Sequence, residues 1–160
     1  MRNTRCLFAV LLGMSLPLAA AASDTLVRFK GGIGVIPFSS AANGVNAVRG
    51  VSPGGQPWVI DELSARVKVD GRIKVKGKGL LLAGGNNIGF NGGQSVKATL
   101  FCGTEEHTTL GTVPLQANGD FEIDDMLPNV PGTCASPVLL IRSAGGAWFA
   151  AGIPKLNDDD

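Results

Sequence analysis

The sequence predicts an all-β chain, an antiparallel β-sandwich of immunoglobulin-like or prealbumin-like topology, with a small β-barrel as the alternative. Apolar and polar residues alternate with period two in several short runs, as strands with one buried face require. Beyond Thr25 no run of about ten residues repeats with the 3.6-residue spacing of a helix. The 160 residues include 23 glycines and 9 prolines, which fall mostly between the apolar runs and divide them into short strands and turns.

The chain opens with Met1, Arg2 and Arg5 as a short positive region. Cys6 to Leu18 is almost wholly apolar, and Ala20-Ala21-Ala22 offers a small-residue cleavage site before Ser23. That order predicts a secretory signal peptide over residues 1–22. A membrane anchor needs roughly 20 apolar residues, and Gly13 and Pro17 interrupt this shorter run, so no stable span is expected after cleavage. Removal of 22 residues leaves 160 − 22 = 138, enough for a single domain, expected over residues 23–156. Residues 157–160 are expected to form a disordered acidic tail. The expected location is secreted or periplasmic.

Val27 and Phe29 alternate with Arg28 and Lys30 in a first strand, and Gly31, Gly32 and Gly34 then predict a kink or bulge before a second short strand over 35–38. Residues 39–44 are polar and loop-like, 45–51 read as a strand, and 52–57 form a turn that returns Trp58, Val59 and Ile60 to the core.

Leu63, Ala65, Val67, Ile73 and Val75 share one parity, and Arg66, Lys68, Arg72, Lys74, Lys76 and Lys78 the other, around Asp70-Gly71. A two-residue turn would pair Val69 with Arg72 and mix the faces. A three-residue loop, Val69-Asp70-Gly71, pairs Lys68 with Arg72 and Val67 with Ile73 and keeps both faces uniform, with Gly71 left-handed. The same parity places Val113, Leu115, Phe121 and Ile123 on one face around the loop Ala117-Asn118-Gly119, with Leu115 opposite Phe121. Between these hairpins lie an apolar stretch at 80–83, a Gly/Asn-rich connection at 84–94, and Val96, Ala98, Leu100 and Cys102 alternating inward. Residues 127–133 form an irregular crossing, 138–142 a central apolar strand, Gly145-Gly146 a turn, and 147–151 the last strand.

Cys6 leaves with the signal, so the pair Cys102 and Cys134 remains in an oxidising compartment and predicts a disulfide. Zinc ligation by Cys102, His107 and Cys134 lacks a fourth ligand and close cysteine spacing. A Cys102 or Cys134 thiol used for bonding is not available as a nucleophile for His107. Asp124, Asp125 and Asp158 to Asp160 match no calcium loop. No metal and no cofactor is expected.

The formal charge of +1 gives no whole-protein field for nucleic acid. The charge is local instead. Arg66, Lys68, Lys74 and Lys76 would form a ladder of like charges, and like charges directly opposite destabilise a sheet. Their offset is an anionic ligand, an adjacent strand carrying Asp120, Glu122 and Asp124, or extension into solvent. No aromatic interleaves them, which argues against nucleic acid. His107, the only histidine, lies beside Glu105 and Glu106 in a polar segment over 103–109, where a solvated loop histidine is expected. No serine sits in a G-x-S-x-G elbow. The Gly/Asn-rich run over 84–93 lacks the Lys-Ser/Thr ending of a phosphate loop, and Trp58 and Trp148 read as core aromatics.

Asn118-Gly119-Asp120-Phe121-Glu122-Ile123, with Leu127-Pro128 and Pro131-Gly132-Thr133-Cys134 after it, resembles the G-x-F-x-I…L-P…P-G-x-Y stretch of carboxypeptidase-regulatory-like and prealbumin-like sandwich domains. Cys134 stands where those domains carry tyrosine. The resemblance implies a non-catalytic sandwich and brings no functional residues. The segments at 53–60 and 148–154 also look like small exported bacterial proteins of unassigned function. The expectation is therefore an exported, non-catalytic β-sandwich with a binding or structural role in the cell envelope or extracellular space. Its expected partner is an anionic envelope component or another protein. The alternatives are an anion-binding module on the basic hairpin face and a small exported hydrolase using His107.

Overall fold

Strict alternation calls for a sheet with one wet face, and the computed structural model, which describes residues 24–40 and 44–155, supplies one. The signal peptide expected over 1–22 and the tail at 157–160 lie outside the described residues. Eight strands run in the hydrogen-bonded order β10 (Val113–Pro114), β8 (Ser95–Cys102), β12 (Val138–Ser143), β13 (Trp148–Pro154), β1 (Thr25–Gly34), β5 (Glu62–Lys68), β6 (Arg72–Lys78) and β11 (Phe121–Met126). A ninth, β9 (Glu105–Thr108), shares the same side of β8 with β10. Every pairing is antiparallel. Two further ribbons, β2 (Ser39–Ser40) with β3 (Gly44–Val45) and β4 (Trp58–Val59) with β7 (Leu81–Leu82), stand outside this sheet. Among the described residues no helix is long and apolar enough to cross a membrane.

The class is all-β, as the alternation predicts, and the facing surfaces of the expected sandwich come from one sheet curled around its core. Its two ends are brought together by side chains and a turn, without a ladder. The N–H of Gly111 donates to Asp125 Oδ2 at 3.0 Å, and His107 Nδ1 lies 3.0 Å from the Pro128 carbonyl oxygen. One hydrophobic cluster fills the interior, with Val67, Val75, Leu100, Leu139 and Ile141 at its centre. Strand β12 runs between β8 and β13, and its Leu139, Leu140 and Ile141 are all fully buried although they alternate between faces.

The basic hairpin has the expected register, with Val67 opposite Ile73 and Arg66 opposite Lys74. Gly71 has φ 88° and donates its N–H to the Lys68 carbonyl at 3.0 Å, the left-handed position that a residue with a Cβ resists. The turn at 117–119 also forms as expected, closed by Gln116 N–H to Asp120 O at 2.9 Å and Gly119 N–H to Gln116 O at 2.8 Å. Its arms then separate: β10 pairs with β8, and β11 pairs with β6.

Three expectations fail locally. Residues 35–38 form no strand; Val35 alone extends the pairing, donating to Phe149 O at 3.0 Å and accepting from Trp58 N–H at 2.8 Å, before Pro37, which has no donor. Residues 45–51 are not one strand either, because Arg49 and Gly50 both take positive φ (52° and 79°) and turn the chain back so that Val48 and Val51 bond each other. The third concerns residues 103–109, where β9 replaces the expected loop. Beyond Val35, Trp58 stacks on Phe149 with ring centroids 4.1 Å apart and anchors the returning segment.

Cys102, at the end of β8, and Cys134, in the crossing before β12, are disulfide-bonded, with Cα atoms 4.7 Å apart and a separation of 32 positions in sequence. The bond fastens the crossing to the end of β8. Beside it, Gly103 N–H donates to the Ala135 carbonyl at 2.7 Å.

Candidate functional site, a basic groove

Strands β1, β5 and β6 alternate, so the polar half of each lines the outer surface of the sheet. Antiparallel register then aligns the charges across strands. In one row Arg28 lies opposite Arg66, Arg66 opposite Lys74, and Lys74 opposite Asp124. In the next, Lys30 lies opposite Ser64, Ser64 opposite Lys76, and Lys76 opposite Glu122. Just past β13, Lys155 donates its backbone N–H to Arg28 O at 2.9 Å and so joins the first row at its far end. The basic residues of these rows, with Ser64 and Lys155, border an open groove of about 510 Å³ over Phe29 and Ala65.

The four expected anion-binding residues are not equivalent. Lys68 is paired with Asp24 at 2.5 Å. Lys74 lies 3.2 Å from Glu122 and 3.3 Å from Asp124, and Lys76 lies 3.8 Å from Glu122. Hydrogen bonding to Glu122, then to Asp124, holds the Lys74 ammonium above its ordinary range. Glu62 does the same for Lys78 at 2.8 Å. The strand carrying Glu122 and Asp124 therefore lies alongside the ladder and offsets its β6 side. Arg66 is different, being exposed and flanked by Arg28 and Lys74 on the two neighbouring strands.

Each row begins with an acid on β11; the first continues through Lys74, Arg66 and Arg28 to the Lys155 turn, and the second through Lys76 and Ser64 to Lys30. Sequence reasoning found the β5 and β6 half of this surface. Arg28 and Lys30 carried the same alternation as Arg66, but only the register of β1 on β5 shows that they extend its rows. Lys155 had no signal of its own.

His107 corrects the expected solvated loop. It sits on β9 opposite Leu100, shares that residue's inward face, and is only 5 % exposed. Its Nδ1 faces Pro128 O at 3.0 Å, an acceptor, so Nδ1 carries a proton. Nε2 is buried without a hydrogen-bond partner, 4.0 Å from Glu105 Oε2. Hydrolysis through His107 would need that nitrogen to reach a water or a substrate hydroxyl.

A second polar cluster lies across β8, β9 and β12. Arg142 donates to Glu106, to Thr99 Oγ1 at 3.3 Å and to Gly146 O at 2.7 Å, while Thr108 Oγ1 donates to Glu106 at 3.0 Å. A shallow cavity of about 450 Å³ separates it from Arg49, which is bonded to Ser136 O. Its groups satisfy one another. Among the described residues no group of three or more His, Cys, Asp or Glu side chains is placed to hold a metal ion.

No family model, curated protein or solved structure matches this chain.

Proposed function

We propose that this protein is an exported, non-catalytic β domain that binds an anionic component of the cell envelope or extracellular space through the groove over β1, β5 and β6. The observation that carries the reading is the run of cations from Arg66 through Arg28 to Lys155 along one open surface. Arg66, exposed on β5, lies opposite a cation on each neighbouring strand, and such a row attracts a polyanion. The groove is open and its aromatic lining residue, Phe29, is buried, so it suits an extended anionic chain gripped by charge. The signal-like N-terminus and the Cys102–Cys134 bond support export.

The test compares Arg66→Glu with Lys97→Glu on immobilised heparin. Both substitutions change net charge equally, and Lys97 lies on β8, outside the groove. Arg66→Glu should elute at clearly lower salt than Lys97→Glu. Equal elution of the two variants would remove the groove as the binding surface.

A further inference from the structure

We propose that the groove carries a subsite for a tetrahedral oxyanion, a sulfate or phosphate ester seated over Ser64 between Lys30 and Lys76. This rests on the anion-binding reading of the groove and names the ligand group it selects. The register places Ser64, on β5, directly opposite Lys30 on β1 and Lys76 on β6. All three are exposed, so a short hydroxyl side chain stands between two long ammonium side chains whose strands are roughly 10 Å apart, two strand spacings. The same three residues line both the groove of about 510 Å³ and a neighbouring cavity of about 690 Å³, so the row stands where the two open depressions meet.

The donors of this row match an ester better than a carboxylate. Two ammonium groups and a hydroxyl converge on one spot, and a sulfate or phosphate monoester offers three terminal oxygens, one for each, where a carboxylate offers two. The cations are free to engage. Among the described residues Lys30 enters no ion pair, and Lys76 lies 3.8 Å from a Glu122 that it shares with Lys74, a looser contact than those of Lys68, Lys74 and Lys78. The next outward residue of β5 in one direction is Glu62, already paired with Lys78 at 2.8 Å, which closes the cationic run there. In the other direction it is Arg66, roughly 6.8 Å along the strand, whose guanidinium suits carboxylate, sulfate and phosphate alike. The ester over Ser64 is thus the last anion gripped, and the ligand's next anion falls over Arg66.

The experiment titrates the exported chain, by calorimetry, with three dextrans matched in length and charge that carry sulfate, phosphate or carboxymethyl groups. Ser64→Thr and Ser64→Val are compared because both suit an exposed strand position and have nearly one shape, differing in the hydroxyl. The parent and Ser64→Thr should bind the sulfate or the phosphate polymer about three- to tenfold more tightly than the carboxymethyl polymer, and Ser64→Val should lose that preference. The polymer that loses more between the Thr and Val proteins identifies sulfate or phosphate as the group taken. Arg66→Glu should weaken all three. An equal preference in the Thr and Val proteins would overturn the subsite, and if Arg66→Glu still weakens every polymer the groove itself stands. Binding untouched by Arg66→Glu would remove the groove and the subsite with it.

Discussion

His107 Nδ1 lies 3.0 Å from the carbonyl oxygen of Pro128, and through this contact β9, at one end of the sheet, holds the crossing that follows β11 at the other. Replacing His107 by alanine deletes a buried ring and leaves the Pro128 carbonyl without this donor. The expected cost is about 2 to 4 kcal/mol, read from urea unfolding. Retention on heparin should be unchanged. A variant as stable as the parent would show that the seam closes without this contact.

Reduction of Cys102–Cys134 releases a loop whose ends are 32 positions apart. The chain-entropy model gives a loss of about 3 to 4 kcal/mol for a loop of that size. The Cys102→Ala/Cys134→Ala protein should show this loss as a lower urea midpoint. Peptide mapping without reductant should recover the two cysteines joined in the parent.

Gly34 has no room for a side chain. A Cβ there would drive into the backbone carbonyl of Trp58, which cannot swing aside as a flexible side chain would. Gly34→Ala should destabilise by about 1 to 3 kcal/mol in thermal unfolding. Gly55 meets nothing within 4 Å at the corresponding position, so Gly55→Ala should leave the midpoint nearly unmoved.

The ion pairs around the basic hairpin have a defined pH window. Lys68 depresses the Asp24 carboxyl, first by hydrogen bonding and then by charge, and the backbone N–H of Arg72 depresses Asp70, from an ordinary value of 3.8. Lys74 and Lys78 are raised above 10.5. A depressed acid contributes stability that is present above its unfolded value and is lost as pH falls through the folded one. A raised amine contributes stability that is complete below its unfolded value and is lost as pH climbs through the folded one. The stability difference between the parent and Asp24→Asn should therefore stay flat through neutral pH and vanish in acid below 3.8. In about 0.5 M salt it should be small throughout, because these groups are exposed.

The fold was legible wherever parity and turn chemistry agreed. The hairpin of β5 and β6 follows from keeping lysines off the face of Val67 and Ile73, with Gly71 completing the loop. Strand β12 follows from its unbroken apolar run. Strand β9 was not legible, because Glu105-Glu106-His107-Thr108 carries no apolar residue at the inward position and only pairing with β8 buries His107. Residues 45–51 misled because Val45, Val48 and Val51 suggest an extended run while Arg49-Gly50 turns it back. The groove was half visible. Its β6 lysines and the acids of β11 could be matched by sequence parity, but the junction of Arg28 with Arg66 depends on the long-range register of β1 against β5, which no local pattern encodes.

Strand β11 ends the hydrogen-bonded order of the sheet, and four of its six residues expose or half-expose polar or acidic side chains or Met126. Glu122, Asp124 and Asp125 lie along it, so a strand from another molecule seeking to extend the sheet would have to settle beside three carboxylates. Glu122 and Asp124, which offset the lysines of β6, thereby also discourage aggregation at the outermost strand. Neutralising them would both unmask the groove and leave the sheet open to end-to-end growth.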